Sequence, residues 1–163
     1  MQIRSPSPAD ASAIDAVVTA AFGRSDEATL VRMLTRDGDT VISLVATEGE
    51  MLIGHVMLSR MRAPFPALGL APVSVLPAHQ SQGVGAALIR EAISKVNESD
   101  AAAIFVLGDQ RYYGRFGFDV AAAADFTCPY SGPHFAALAL KGPLPQVTGD
   151  VDYAKAFDEA LSD

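Results

Sequence analysis

The chain has no tryptophan, one cysteine and three histidines. A lone cysteine excludes an internal disulfide and suits a reducing compartment, so a cytoplasmic location is expected. Cys128 and the scattered His55, His79 and His134 give no metal-ligand spacing, so no metal is expected. There is no Gly-x-Ser-x-Gly elbow for a serine nucleophile. Cys128 with His134 as a nucleophile pair has no further support, and a small buried thiol is the simpler reading. Cations are also scarce, with 12 Lys and Arg against 19 Asp and Glu, a formal charge of −7. That balance, without interleaved basic and aromatic residues, argues against nucleic acid and against an anionic membrane surface as partners. No apolar run approaches ~18 residues, so no transmembrane helix is expected. Met1 to Ala9 holds Arg4, Pro6 and Pro8 and lacks the apolar centre of a signal peptide.

What is present is a chain of 163 residues, half of them apolar, enough for one domain with a substantial core. We read it as a single domain, 1–163, with a C-terminal extension from about 142 to 163. Gln2 to Arg4 suits an edge strand. Ser7-Pro8-Ala9-Asp10 is a helix start, with Asp10 reaching back as in a capping box. Ile14, Val17, Val18 and Ala21 form an apolar helical stripe that Gly23 ends. Ser25 is expected to cap a second helix carrying Leu30 and Leu34 inward. Val41 to Thr47 and Met51 to Arg60 read as a hairpin, and Leu68 to Val75 as the next strand. A glycine loop and a helix to about Asn97 follow. Ala102 to Leu107 is a continuous apolar run, consistent with a buried strand. Asp109 can cap a short helix ending at Gly117. Phe126 to Tyr130 and Phe135 to Leu140 are two further candidate strands. Tyr153, Ala156, Phe157 and Ala160 have helical spacing. The order β-α-α-β-β-β-α-β-α-β-β belongs to an α/β chain with a mixed sheet covered on both faces.

The most informative stretch is Val73 to Ile89. Val73 and Val75 alternate with Ser74, Pro77 stops the strand, and Gln80 to Gly85 places Gly83 and Gly85 one residue apart. Ile89, Ala92, Ile93 and Val96 then mark one buried helix face. Free N–H groups and the positive dipole end at the helix start suit a phosphate or diphosphate. A nucleotide-hydrolase P-loop would need Gly-Lys-Ser/Thr, and no lysine is present. A dinucleotide fingerprint would need a third glycine where Leu88 stands. Glycines serving only close helix packing remain an equal reading of this loop taken alone.

Gln80, Gly83 and Gly85 match every defined position of Gln/Arg-x-x-Gly-x-Gly/Ala, the acyl-CoA loop of the GCN5-related N-acetyltransferases. Downstream, Tyr112-Tyr-Gly-Arg-Phe-Gly-Phe118 resembles that family's Phe-Tyr-x-x-x-Gly-Phe. The spacing between the two motifs also fits. More loosely, Leu107-Gly-Asp and Phe135 to Leu140 are similar to the YhbS-like bacterial subgroup. The resemblance implies the acyl-CoA N-acyltransferase fold, with the sheet splayed between the strands at 68–75 and 102–107 and the donor lying in the splay.

It further implies an acetyl-CoA-dependent transfer of acetyl to a primary amine, on a small molecule or a peptide, by direct transfer in a ternary complex. Backbone N–H groups of Gln82, Gly83, Val84, Gly85 and Ala86 would hold the diphosphate, with Gln80 and Ser81 as side-chain donors. Main-chain groups of Val73, Ser74 and Val75 would bind the pantetheine arm and the thioester oxygen. Tyr113 takes the place of the phenol that protonates the leaving thiolate, and its ordinary pKa of ~10 keeps it protonated at neutral pH. Tyr112 reads as packing. Where many members carry asparagine seven residues before the tyrosine, this chain has Val106, and Gly108 or Asp109 is expected to substitute. No general base declares itself; Asp26, Glu27, Asp109 or water are the candidates. His55 reads as a half-buried strand histidine and His79 as loop surface. Two other readings stand beside the transferase: a non-catalytic acyl-CoA sensor, and an enzyme for another acyl group or a hydroxyl acceptor. The oligomeric state is open, a homodimer being one option.

Overall fold

The computed structural model describes residues 1–145 and 149–161. Strand β1 (Gln2–Arg4) leads into helices α1 (Ala11–Phe22) and α2 (Asp26–Arg36). Strands β2 (Thr40–Glu48), β3 (Met51–Arg60) and β4 (Ala67–Val75) follow, then helix α3 (Val84–Val96) and strand β5 (Ala103–Leu107). The remainder comprises α4 (Gln110–Tyr113), α5 (Val120–Ala123), β6 (Phe126–Thr127), β7 (Phe135–Ala139), β8 (Gly149–Asp150) and α6 (Lys155–Ala160). Six strands form one mixed sheet in the order β1-β2-β3-β4-β5-β7, with only β4 and β5 parallel.

Local chemistry sets most of these boundaries. Asp10 accepts from the Ser7 amide at 2.7 Å and is gripped by Arg4, which fixes the entry to α1. Gly23 ends α1 in a left-handed conformation, φ 71°. The expected Ser25 cap of α2 is not made. Instead Arg24 holds both carboxylate oxygens of Glu27, at 2.9 and 2.6 Å, so the first-turn acid of α2 is turned onto its own entry loop. Asp109 does cap α4, accepting from the Arg111 amide at 2.9 Å.

The sheet is buried on both faces. In β5, Phe105 faces the cluster with α1, α2 and α6, while Ile104 and Val106 face the cluster with α3. This is strand alternation without a polar side, which is why the run 102–107 is uniformly apolar. Tyr153, Ala154, Ala156 and Phe157 are buried in the α1/α2 cluster, so the extension expected at about 142–163 supplies core side chains. Its residues 146–148 and 162–163 lie outside the described residues. The strand expected over Phe126 to Tyr130 is shorter. Residues 128–131 turn, with Ser131 N–H donating to Cys128 O at 3.1 Å, so only Phe126–Thr127 pairs, with β8 and outside the main sheet. Helix α5, capped by the Asp119 side chain, was not anticipated.

One departure from regular pairing positions everything that follows. β4 pairs with β5 only over Ala67–Gly69 against Ala103–Phe105. Beyond Gly69 the two strands part. On its other side β4 skips register against β3 between Val56 and Leu58, where Ala71 and Pro72 bulge out. Proline has no N–H to offer, and it is tolerated here because the strand has become an open edge.

Candidate active site

The opening is lined first by β4 backbone. Leu76 N–H donates to Ile53 O at 2.9 Å, and bonding in an antiparallel pair alternates. Ser74, opposite His55, is therefore bonded to β3, whereas N–H and C=O groups of Val73 and Val75 point into the gap. Ser74 is thus set apart from its two neighbours: its side chain is buried and its main chain is committed elsewhere.

After β4 a short turn, Pro77–His79, leads into the glycine loop. Ser81 and Gly83 both take left-handed conformations, φ 61° and 86°. Left-handed residues so close together curl successive amides toward one concavity, an anion-binding nest. A Cβ on Gly83 would meet no atom within 4 Å, so glycine is required there for conformation, not for space. At Gly85 the reason is space, since a Cβ would lie 3.2 Å from the Tyr112 hydroxyl. The first-turn amides of α3, Val84 to Ala86, have no helical acceptor and face the same hollow. Gln80 does not reach outward: its Nε2 donates to Val75 O at 3.0 Å and ties the loop to β4. Gln82 is exposed, donates to Ala78 O at 3.4 Å, and does not line the cavity.

These groups bound a cavity of about 680 Å³ whose far wall is Tyr112 and Tyr113. Two cations missed by the sequence reading also line it. The Arg90 guanidinium lies 5.1 Å from the centre of the Phe116 ring, and Arg115 lies 4.7 Å from that of Tyr112 and 5.3 Å from that of Phe116. Stacking on aromatic faces holds both planar groups at the rim. His79, expected on the loop surface, is half-buried in this cavity wall.

Tyr113 stands where two cavities meet. A neighbouring cavity of about 480 Å³ shares Val73, Tyr113 and Phe22 with the first. The Tyr113 ring packs edge-on against Tyr112, with centroids 5.0 Å apart, and against Phe118 at 5.9 Å. Gly108 leaves room for it, because a Cβ there would lie 2.4 Å from Tyr113 Cε2. Burial, aided by the nearby Tyr112, pushes the Tyr113 phenol up to about 12. It therefore keeps its proton throughout the physiological range.

Of the candidate bases, only Glu27 lines the second cavity, and both its oxygens already accept from Arg24. Asp109 is spent on the Arg111 amide and side chain, which hold it below the usual carboxylate range; it offers no substitute for the missing asparagine, while Val106 is buried in the sheet. Asp26 is half-buried, 3.8 Å from Arg24, and lines neither cavity. His55 is fully buried, bonded to Ser43 at 3.1 Å, and burial holds its pKa down to about 4, so it is neutral. Cys128 is a buried thiol whose sulfur accepts from the Tyr130 amide at 3.2 Å. Among the described residues no cluster of His, Cys, Asp and Glu suits a metal, and no helix is long and apolar enough to cross a membrane.

Known proteins share this sequence pattern and this fold. Residues 12–118 match the family model described as the acetyltransferase (GNAT) family. The chain is 36% identical, over 97% of its length and 99% of the relative's, to the uncharacterized N-acetyltransferase YhbS of Escherichia coli K12. It superposes on a crystal structure of Escherichia coli YhbS in complex with CoA with a TM-score of 0.90, at 36% identity, covering 96% of this chain and 91% of the other. A GNAT acetyltransferase of Brucella melitensis in complex with acetyl-CoA gives a TM-score of 0.83 at 36% identity, covering 96% and 97%.

Proposed function

Since this chain belongs to the acetyltransferase (GNAT) family, we propose that the larger cavity binds acetyl-CoA and that acetyl passes directly to a primary amine held in the neighbouring cavity. The observation that carries this reading is the shared wall. One phenol, Tyr113, faces both spaces at the point where the sheet opens. The cavity also fits the donor chemically. A nest of amides and two stacked guanidinium groups supply the positive charge that a chain of formal charge −7 lacks globally.

In this reading Ser81 and the amides of Gly83, Val84, Gly85 and Ala86 hold the diphosphate, with Arg90 and Arg115 on the phosphates. Gln80 supports them indirectly by bracing Val75. The N–H and C=O groups of Val73 and the N–H of Val75, all turned away from β3, run along the pantetheine arm, and one N–H stabilises the thioester oxygen as it gains charge. Acetyl-CoA supplies the activated acyl group. The amine nitrogen forms the new bond to the acyl carbon as the C–S bond breaks. Tyr113 donates its O–H to the sulfur as negative charge develops there. Glu27, already bidentate with Arg24, orients the amine; of the two protons that the ammonium gives up, one leaves with water before attack and the other passes through water to restore the Tyr113 phenol.

The test is free-thiol release from acetyl-CoA in the presence of a panel of amines. Tyr113→Phe is expected to lower kcat by ~10²-fold or more, with little change in acetyl-CoA binding. Equal turnover by wild type and this variant at every pH would refute the acid role. Tight binding of acetyl-CoA without thiol release for any amine would favour a sensing module instead.

A further inference from the structure

We infer that the second cavity selects a compact, singly charged primary amine carried on an apolar or aromatic body. This rests on the preceding assignment of that cavity to the acceptor.

Its volume, about 480 Å³, lies in the range of small-molecule sites, ~300–1,000 Å³. The walls are apolar and aromatic. Tyr130, Tyr153 and Phe157 form a continuous ring surface, with centroids 5.8 and 4.8 Å apart along it. Leu30 and Leu70 line the same space. This wall is built in from β4: a Cβ on Gly69 would lie 2.7 Å from the Tyr153 ring, so only glycine admits that ring.

Charge narrows the choice. Glu27 is the one carboxylate lining the cavity among the described residues, and its side chain is 8% exposed. Arg24 neutralises it formally but leaves lone pairs on both oxygens. One ammonium group can be accepted there, with aromatic faces nearby to favour a cation. A second or third ammonium would lose its water and find no second carboxylate on this lining, only neutral phenol oxygens such as the unpartnered one of Tyr153. Polyamines and aminoglycosides are therefore poor fits, and an extended peptide would use only its lysine tip.

The experiment compares 2-phenylethylamine and 3-methylbutylamine with spermidine, kanamycin and a lysine-containing peptide, at saturating acetyl-CoA. The apolar monoamines are expected to show kcat/KM at least tenfold above the rest. Glu27→Gln and Tyr130→Ala are each expected to raise the amine KM at least tenfold while KM for acetyl-CoA stays within twofold. Equal or better use of spermidine, kanamycin or the peptide overturns the inference, as does an unchanged amine KM in both variants. If no amine releases thiol, the transfer reading itself fails. Calorimetry of 2-phenylethylamine into the wild-type protein saturated with CoA then decides the cavity separately. Binding that both substitutions weaken supports the site, and no binding overturns it.

Discussion

Replacing Gly108 by alanine isolates the contribution of Tyr113's position from that of its hydroxyl. Gly108 does not adopt a left-handed backbone, so alanine brings no conformational penalty of that kind. The consequence is steric. The new methyl would lie 2.4 Å from Tyr113 Cε2 and 2.9 Å from Cδ2, where ordinary contact begins at 3.4 Å. The ring must retreat by about 1 Å, and its edge contacts with Tyr112 and Phe118 resist that movement. A displacement of this size at a reacting centre costs ~10²-fold in rate. Crowding of this kind also costs about 1–3 kcal/mol of stability. Thiol-release kinetics should therefore show kcat down by ~10²-fold, with KM for acetyl-CoA little changed, because the loop amides are untouched. The decisive comparison is the double variant. In a Tyr113→Phe background there is no hydroxyl left to misplace, so Gly108→Ala should lower kcat by no more than roughly twofold further. A second full ~10²-fold loss in that background, or wild-type kcat in Gly108→Ala alone, would refute the assignment of Tyr113.

Three further outcomes follow from the same geometry. Gly83→Val forces a branched side chain into φ 86°, at a strain of ~1–3 kcal/mol, and calorimetry should show CoA binding weakened by about tenfold or more. Arg115→Ala should weaken CoA binding by roughly tenfold at low salt, with the deficit shrinking as ionic strength rises. The pH dependence of stability should carry the mark of His55. Folded, it titrates at about 4; unfolded, at 6.5. The unfolded chain thus binds the extra proton between these values, and stability present above pH 6.5 is lost as pH falls toward 4. The total is about 3 kcal/mol, and urea titrations of His55→Asn should lack this slope.

What could be read from the residues was what local chemistry determines. Asp10, Gly23, Asp109 and Gly117 act within a turn of where they stand, so they marked boundaries correctly. Gly83 and Gly85 stood out through their spacing from Gln80 and from the motif at 112–118, since the loop alone suited close packing equally; the structure gives each its own reason, a left-handed backbone at Gly83 and the Tyr112 hydroxyl at Gly85. The parting of β4 from β5 came only through resemblance, because strand pairing joins residues more than thirty positions apart. Arg90 and Arg115 went unnoticed for a different reason. A lone arginine reads as solvated surface until Phe116 and Tyr112 are seen beneath it. Ser25 misled because Arg24 took Glu27 and the helix began without a side-chain cap. Ser74 was grouped with Val73 and Val75 by sequence, although alternation sends its backbone to β3. Phe22, which touches both cavities, went unremarked because it falls outside the stripe Ile14, Val17, Val18 and Ala21.

The rings of Tyr130, Tyr153 and Phe157 stand beyond the matched segment, which ends at residue 118. In the proposed reading the aromatic part of the recipient's surface thus lies outside the stretch that carries the thioester's amide nest, while Glu27 and Tyr113 lie within it. On that reading, substitutions at these three rings would change the choice of amine and leave the backbone curl at Ser81 and Gly83 untouched.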